Sequence, residues 1–472
     1  MSAGTVDPLQ ALTGIADRAW LVGGALRDRL LGRPTSDFDI ALDGDPRTVA
    51  RALARSTSAH AFELSEGFAV WRVVARDHSW QVDLLPLAGG SIEADLAGRD
   101  LTVNAIAEAL RGGELVDPCG GLQDLEARRL LMVSPGAFTE DPLRVLRLAR
   151  LATELDFWAD PDTAAIATRN APALAGVAPE RVFAELKRII SADRAVEGLR
   201  LADELAIIPA VLPELSALHG IAQSRFHHLD VYEHTLAVLA EAIELERHPE
   251  RSLGAHAAAV SEFMSQPFAN ELTRWKALRF GALLHDIAKP QTRSVTAEGR
   301  VTFIGHDAAG SDTASAVMTR LRASERLAAH VAALARNHLR LGFLVHETPL
   351  DRRAIYRYLR DCAPVQVDVT VLSVADRLAT RGDRSIEAIA KHLELADQML
   401  GEALAWVADP PRPPVRGSEL ARALGIERGP ALGRILAELE VASFAHEIDG
   451  PAEAIERARE LLKDGSVGSR TR

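Results

Sequence analysis

Residues 19–40 read Ala-Trp-Leu-Val-Gly-Gly-Ala-Leu-Arg-Asp-Arg-Leu-Leu-Gly-Arg-Pro-Thr-Ser-Asp-Phe-Asp-Ile. An apolar strand at Trp20–Val22 runs into Gly23-Gly24, a helix is predicted over Ala25–Leu31, Gly-Arg-Pro reverses the chain, and a second strand carries Asp37 and Asp39. Side chains two apart on a strand share a face, so the two carboxylates stand together. Such a pair repels itself and loses solvation unless a hard divalent cation lies between. Gly-Gly at a helix N-terminus lets backbone N–H groups approach a phosphate. Taken singly, Asp-x-Asp is a strand end and Gly-Gly a turn. Their order, with a helix between, points to a nucleoside triphosphate held against magnesium.

Further along, a helix is predicted at Pro46–Ser56 and strands at Ala69–Ala75 and Trp80–Leu85. The alternation Trp80-Gln81-Val82-Asp83-Leu84 leaves Asp83 as either a third carboxylate or a salt-bridged sheet residue. Gly98-Arg99-Asp100-Leu101-Thr102-Val103-Asn104-Ala105 is expected to open a helix, with Arg99 a fixed charge for phosphate and Asp100 or Asn104 a partner for a ribose hydroxyl.

Gly23-Gly24-Ala25-Leu26-Arg27-Asp28, Asp37-Phe38-Asp39 and Arg99-Asp100-Leu101-Thr102-Val103-Asn104-Ala105 resemble signature motifs of the bacterial (class II) tRNA nucleotidyltransferase and poly(A) polymerase family. Gly98 stands where that family usually has Arg, which removes one phosphate or ribose contact or moves it elsewhere. The resemblance continues through Val116–Leu125, similar to a hinge between head and neck, and Glu140-Asp141-Pro142-Leu143-Arg144, which in the family reads the incoming base. The chemistry is sound by itself: a carboxylate accepts from the amino group of C or A, and Arg donates to ring nitrogen and carbonyl. On one helical turn, Asp141 and Arg144 would present both halves of a Watson–Crick edge; a helix cap with a salt bridge is the alternative. Arg144, Arg147 and adjacent Arg150 form a basic stripe that either continues toward RNA or is a solvated face. In Pro179–Arg188, Glu180 and Glu185 are expected to brace the base-reading helix.

A second constellation follows: His234, His285-Asp286, His306, His338 and Asp376, in the order of the HD phosphohydrolase superfamily, with Phe226–Thr235 similar to the entry into that domain. Mixed nitrogen and oxygen donors favour manganese, nickel, cobalt or iron and suit water activation for phosphoester hydrolysis. Lys289 is a candidate phosphate contact. The resemblance implies 2′,3′-cyclic phosphates or phosphomonoesters as substrates there.

The resemblance implies an α+β fold: a polymerase-beta-like nucleotidyltransferase head with a mixed sheet and helices (1–125), then an all-helical neck (126–222), HD domain (223–408) and tail (409–472). The tail opens on the stiff linker Asp409-Pro-Pro-Arg-Pro-Pro414. Its Gly-broken helices either offer amides to RNA phosphates or form a structural cap, and the last residues are expected to fray. The implied site has Asp37, Asp39 and Asp83 as catalytic carboxylates, the first two on Mg2+. It has Gly23, Gly24, Arg27, Arg99, Asp100, Asn104, Asp141, Arg144 and Arg147 around CTP or ATP, and tRNA as acceptor.

At 472 residues the chain is too long for one ordinary core. No run approaches a membrane span and no leader is visible, so the cytoplasm is expected. Cys119 and Cys362 are too few and too distant for a disulfide framework or zinc ribbon. A net charge of −12 excludes indiscriminate nucleic-acid binding while allowing a local basic groove. The product is narrowed by the short stretch between Asp83 and Arg99: full CCA-adding members and poly(A) polymerases usually carry a longer flexible loop there. Its shortness resembles CC-adding enzymes, with CCA addition still open. Poly(A) synthesis, or an HD hydrolase whose head only binds nucleotide, are the alternatives; a non-enzymatic RNA-binding module is disfavoured by the acidity and two metal constellations.

Overall fold

A computed structural model describes residues 7–65, 69–223, 229–380 and 385–463. The chain divides into two compact units, 1–212 and 213–472. The Phe226–His228 part of the entry motif and the terminal Gly465–Arg472 lie outside the described residues.

The first unit is built on a seven-stranded sheet: β1 (Ala19–Val22), β2 (Asp37–Leu42), β3 (His60–Ser65), β4 (Val70–Val74), β5 (Gln81–Pro86), β6 (Ala107–Ala109) and β7 (Leu115–Val116), in the order β3-β4-β5-β2-β1-β6-β7. Only β2 and β5 pair in parallel, so the sheet is mixed, as expected. Strand β3 escapes sequence reading because His60-Ala-Phe-Glu-Leu-Ser lacks clean alternation, and Phe62 and Leu64 stay exposed at the sheet edge. Register fixes the face that matters. Asp39 lies opposite Asp83, and Asp83 lies opposite Arg72 on β4. Their alternating neighbours Ile40, Val82, Leu84 and Val73 are buried in the core.

The helix after the Gly-Gly pair begins earlier than predicted, spanning Gly23–Leu30. The helix expected from Gly98 does not form: a single 3-10 turn at Thr102–Asn104 leads into β6. The Asp100 side chain accepts from Leu101 N at 2.9 Å and Asn104 Nδ2 at 3.0 Å, bonds that compete with a helical ladder. Beyond the sheet, helices Leu143–Leu155, Pro179–Ser191 and Ala195–Glu204 pack through Leu146, Leu186, Ile189 and Leu199. Gly198 permits this approach, since a Cβ there would lie 2.2 Å from Thr153 Oγ1.

The described residues of the second unit are helical apart from two short hairpins at 267–273 and 294–302. Helices Val231–Arg247, Arg274–Leu284, His306–Arg320, Glu325–Asn337 and Gln366–Ala379 surround the histidine constellation. After the proline linker, helices Gly417–Leu424, Pro430–Phe444 and Gly450–Lys463 enclose a core of their own, including Leu420, Ile435 and Leu439. Gly425, with φ +66°, ends the first of them in a conformation other residues adopt with strain. This cap is tied down by Arg353, bonded to Glu438 and Glu447 at 2.8 and 2.6 Å, and by Tyr356 Oη donating to Glu440 at 2.6 Å. No described helix is long and apolar enough to cross a membrane.

Candidate active sites

In the first unit a cleft of about 820 Å3 is lined by Asp37, Asp39, Asp83, Gly23, Gly24, Arg99 and the base-reading candidates Asp141 and Arg144. Burial, reinforced by Asp83 and Asp37 and opposed by Arg99 and Arg147, raises the Asp39 carboxyl above its ordinary range. That cost falls when a cation neutralises the group, so these hard oxygen donors fit magnesium. Gly23 adopts φ +67°, and a Cβ there would lie 3.0 Å from Arg99 Nη1 and 3.3 Å from Asp39 Oδ2. A side chain at this position would therefore both strain the backbone and crowd the carboxylate.

The two readings of Asp83 coincide. It lines the cleft beside Asp39 and also accepts a bidentate bond from Arg72, at 2.7 and 2.8 Å. Other candidates are more occupied than the sequence suggests. Arg27 is buried, donating to Asn104 Oδ1 at 2.7 Å and to Asp28. Asp100 is buried against Arg147 at 2.8 Å; burial opposes its charge, but Arg147 and Asn104 hold it well below the carboxylate range. These residues therefore form a rigid floor under the cleft.

Asp141 does not share a helical turn with Arg144. It sits just before the Leu143–Leu155 helix, because Pro142 lacks an N–H and can only begin one, and it accepts from Leu143 N at 3.2 Å. Its carboxylate is held by Arg181 at 2.7 Å. Arg144 donates to Gly98 O at 2.7 Å and Ala137 O at 3.1 Å. The expected basic stripe is largely neutralised: Arg147 meets Asp100, and Arg150 meets Glu185 at 2.5 Å and Glu154 at 2.9 Å. Glu185 thus braces the helix. Arg72, Arg181 and Arg188 line the cleft without having been picked out from sequence. Arg72 is legible from cross-strand alternation, and Arg181 and Arg188 fall within the Pro179–Arg188 motif, where the sequence reading singles out Glu180 and Glu185 instead.

In the second unit the ligand candidates sit at or near helix ends. His234 is in the first turn of Val231–Arg247, His285 caps the end of Arg274–Leu284 with Asp286 following, His306 begins its helix, His338 caps another, and Asp376 lies in a last turn. Carbonyl oxygens fix three imidazoles: Nδ1 of His285, His306 and His338 donates to Ala282 O, Phe303 O and Ala335 O at 2.7–2.8 Å. The carbonyl can only accept, so the remaining lone pair is on Nε2. Those Nε2 atoms face other acceptors. His306 and His338 approach at 3.3 Å, and both lie within 3.6 Å of Asp286 Oδ1.

His285 Nε2 and Asp286 Oδ1 have no hydrogen-bond partner among the described residues. Acceptors converging on acceptors in a buried site repel unless a cation or a proton lies between them, and this mixed set of nitrogen and oxygen donors fits a metal. They fall into two groups, His234 with His285 and Asp376, and Asp286 with His306 and His338. Burial lowers His338 to a pKa of about 4, so it is neutral and able to ligate near neutral pH. Lys289, a phosphate candidate from sequence, is engaged by Asp286 and Gln223, each at 2.6 Å. His392, Ser373 and Arg377 line the cavity unforeseen.

Comparison with known proteins agrees with this two-part layout. Family models described as "Poly A polymerase head domain", "Probable RNA and SrmB- binding site of polymerase A" and "HD domain" match residues 19–85 with 87–131, 156–218 and 231–381. The chain is 36 % identical to an "A-adding tRNA nucleotidyltransferase" of Deinococcus radiodurans, covering 92 % of this chain and 94 % of that one. It is 33 % identical to a "CC-adding tRNA nucleotidyltransferase" of Thermus thermophilus, covering 94 % and 93 %. The fold is similar to that of a CCA-adding enzyme of Thermotoga maritima complexed with tRNA, with a TM-score of 0.62 at 18 % identity over 97 % of each chain. With relatives this similar over nearly its whole length, the chain belongs to the tRNA nucleotidyltransferase and poly(A) polymerase family and joins that nucleotidyltransferase head to an HD domain.

Proposed function

We propose that the chain adds C to the 3′ end of tRNA from CTP without a nucleic-acid template, its product being CC. The observation that carries this reading is the compact connection from β5 to the Ile92–Ala97 helix, whose following residue, Gly98, supplies the carbonyl holding Arg144 Nη2 at 2.7 Å. With no long loop to reset that wall, Arg144 and the Arg181-held Asp141 keep one setting and read one kind of base edge. Asp141 accepts from the 4-amino group of cytosine, and Arg144 donates to the ring nitrogen and carbonyl.

Asp37, Asp39 and Asp83 would hold Mg2+, which when bound lowers the charge on the triphosphate and favours attack by the acceptor hydroxyl. Gly23 and Gly24 leave room for the triphosphate, and Arg99 adds positive charge beside it. In the HD domain, the His234, His285, Asp286, His306, His338 and Asp376 donors would hold manganese, nickel, cobalt or iron, supplying an activated water for hydrolysis of phosphate esters at RNA ends. The head spans 1–125, the neck 126–222, the HD domain 223–408 and the tail 409–472, and the chemistry belongs to the cytoplasm.

The deciding experiment offers tRNA lacking its last three nucleotides with CTP, ATP or both, and sequences the ends. Two C residues from CTP, with no A added from the mixture, is the expected result. A completed CCA end or A addition to a CC end would replace the product assignment, long A tracts would overturn the tRNA reading, and no incorporation would leave the hydrolase alone.

A further inference from the structure

Asp39, Asp83 and Arg72 stand in one row across β2, β5 and β4, Asp39 opposite Asp83 and Asp83 opposite Arg72. Alternation sends Trp71 and Val73, the chain neighbours of Arg72, into the core and leaves Arg72 on the cleft face. Its guanidinium donates through Nε to Asp83 Oδ1 at 2.7 Å and through Nη2 to Oδ2 at 2.8 Å, and Asp83 is the one hydrogen-bond partner of this side chain among the described residues. Asp37 and Asp39 form no ion pair among the described residues, although their charges reach the same guanidinium. One of the three cleft carboxylates therefore carries a fixed cation, and two are left for a mobile one. A carboxylate offers about four lone-pair sites on its two oxygens, and a bidentate guanidinium spends one on each. What remains is one site per oxygen, on the side away from Arg72. Burial and then the Asp83 charge raise the Asp39 carboxyl, so Asp83 is near enough to share a cation with it. Left to rotate, the same Asp83 carboxylate could turn both oxygens on that cation.

We propose that Arg72 is a positioning residue for nucleotidyl transfer: its two bonds fix the plane of the Asp83 carboxylate, so that Asp83 meets the cation it shares with Asp39 through a single oxygen. The proposal rests on the reading of Asp83 as a third catalytic carboxylate. A guanidinium fork suits the task because it sets both position and plane, whereas a lysine ammonium, a point charge, sets position alone. Magnesium demands near-ideal octahedral geometry, so a turned carboxylate costs turnover. With its hydrogen bonds spent on Asp83, Arg72 acts on turnover and not on nucleotide affinity.

The test uses the full-length protein with magnesium, on tRNA lacking its last three nucleotides with CTP and on tRNA ending in CC with ATP, read on whichever is extended. It measures kcat and KM for that nucleotide, and its Kd by equilibrium dialysis. We expect Arg72→Met to lower kcat about tenfold or more, with Kd within about twofold of wild type. In an Asp83→Ala background the same substitution should change kcat less than about twofold, because the group it acts through is gone. An unchanged kcat in Arg72→Met, an equal loss in both backgrounds, or a loss in Kd in place of kcat each overturns the proposal. If Asp83→Ala alone keeps the wild-type kcat, the reading of Asp83 falls and takes the proposal with it; if Asp83→Ala is impaired and Arg72→Met is not, the proposal alone falls. Should Arg72→Met fail to fold, Arg72→Lys, which keeps the cross-strand charge pair, decides: a lowered kcat at unchanged Kd supports the fork, and a wild-type kcat overturns it.

Discussion

In the first unit, Asp37, Asp39 and Asp83 stand on two neighbouring strands of an open sheet, and three carboxylates of the cleft are matched by arginines, Arg72 on Asp83, Arg147 on Asp100 and Arg181 on Asp141. In the HD domain, acidic and imidazole groups converge from separate helix ends, and much of the matching falls to groups that cannot both be acceptors in contact. A sheet register can place hard oxygen donors side by side in a solvent-accessible cleft, which suits a cation shared with a large, charged, exchanging substrate. Helix ends can bury nitrogen donors in fixed tautomers, which suits a resident transition metal. The two sites therefore differ in how each responds to loss of one group.

Removing one head carboxylate should break the comparison most sharply. Asp39→Ala is expected to lower C addition by about a thousandfold or more, measured by CTP incorporation, while phosphate release at the HD site is unchanged. Equal loss of both activities would contradict their independence. His285→Ala should do the reverse, lowering hydrolysis by about a hundredfold or more with incorporation intact; a wild-type hydrolysis rate would reject its metal role.

A third test concerns proton linkage beside the HD cavity. Burial holds His392 at a pKa of about 4, against an ordinary 6.5, with Ser373 Oγ at 3.1 Å. The unfolded chain takes up that proton first, so this contribution to stability is complete above pH 6.5 and is lost as pH falls toward 4, amounting to roughly 3 kcal/mol. Urea melts across that window should be less pH-dependent in His392→Gln than in wild type; identical slopes would remove His392 from the balance. The smallest expected effect belongs to Arg181→Ala. Freed from its ion pair, Asp141 should lose about tenfold in kcat/KM for CTP, with Arg181→Lys intermediate; no change would mean that Asp141 is positioned by Leu143 N alone.

Much of this organisation was legible in the chain. Asp37 and Asp39 share a face because strands alternate, and Gly23 announced a position where a side chain is excluded. The histidine series was readable by order and context, although its grouping into two donor sets was not. The Gly98–Ala105 segment misled because Asp100 and Asn104 bond locally instead of entering a helix. Strand β3 was missed because an edge strand can leave apolar side chains in solvent without alternation.

The sequence by itself determined which groups could carry chemistry: the carboxylates, the glycines beside them and the imidazoles, since their types and local spacing set what they can bind. Only the tertiary structure decided which of them are occupied and by what. Arg72, Arg181 and Glu185 come from other strands and helices, and their pairing depends on register and packing between segments that no local pattern encodes.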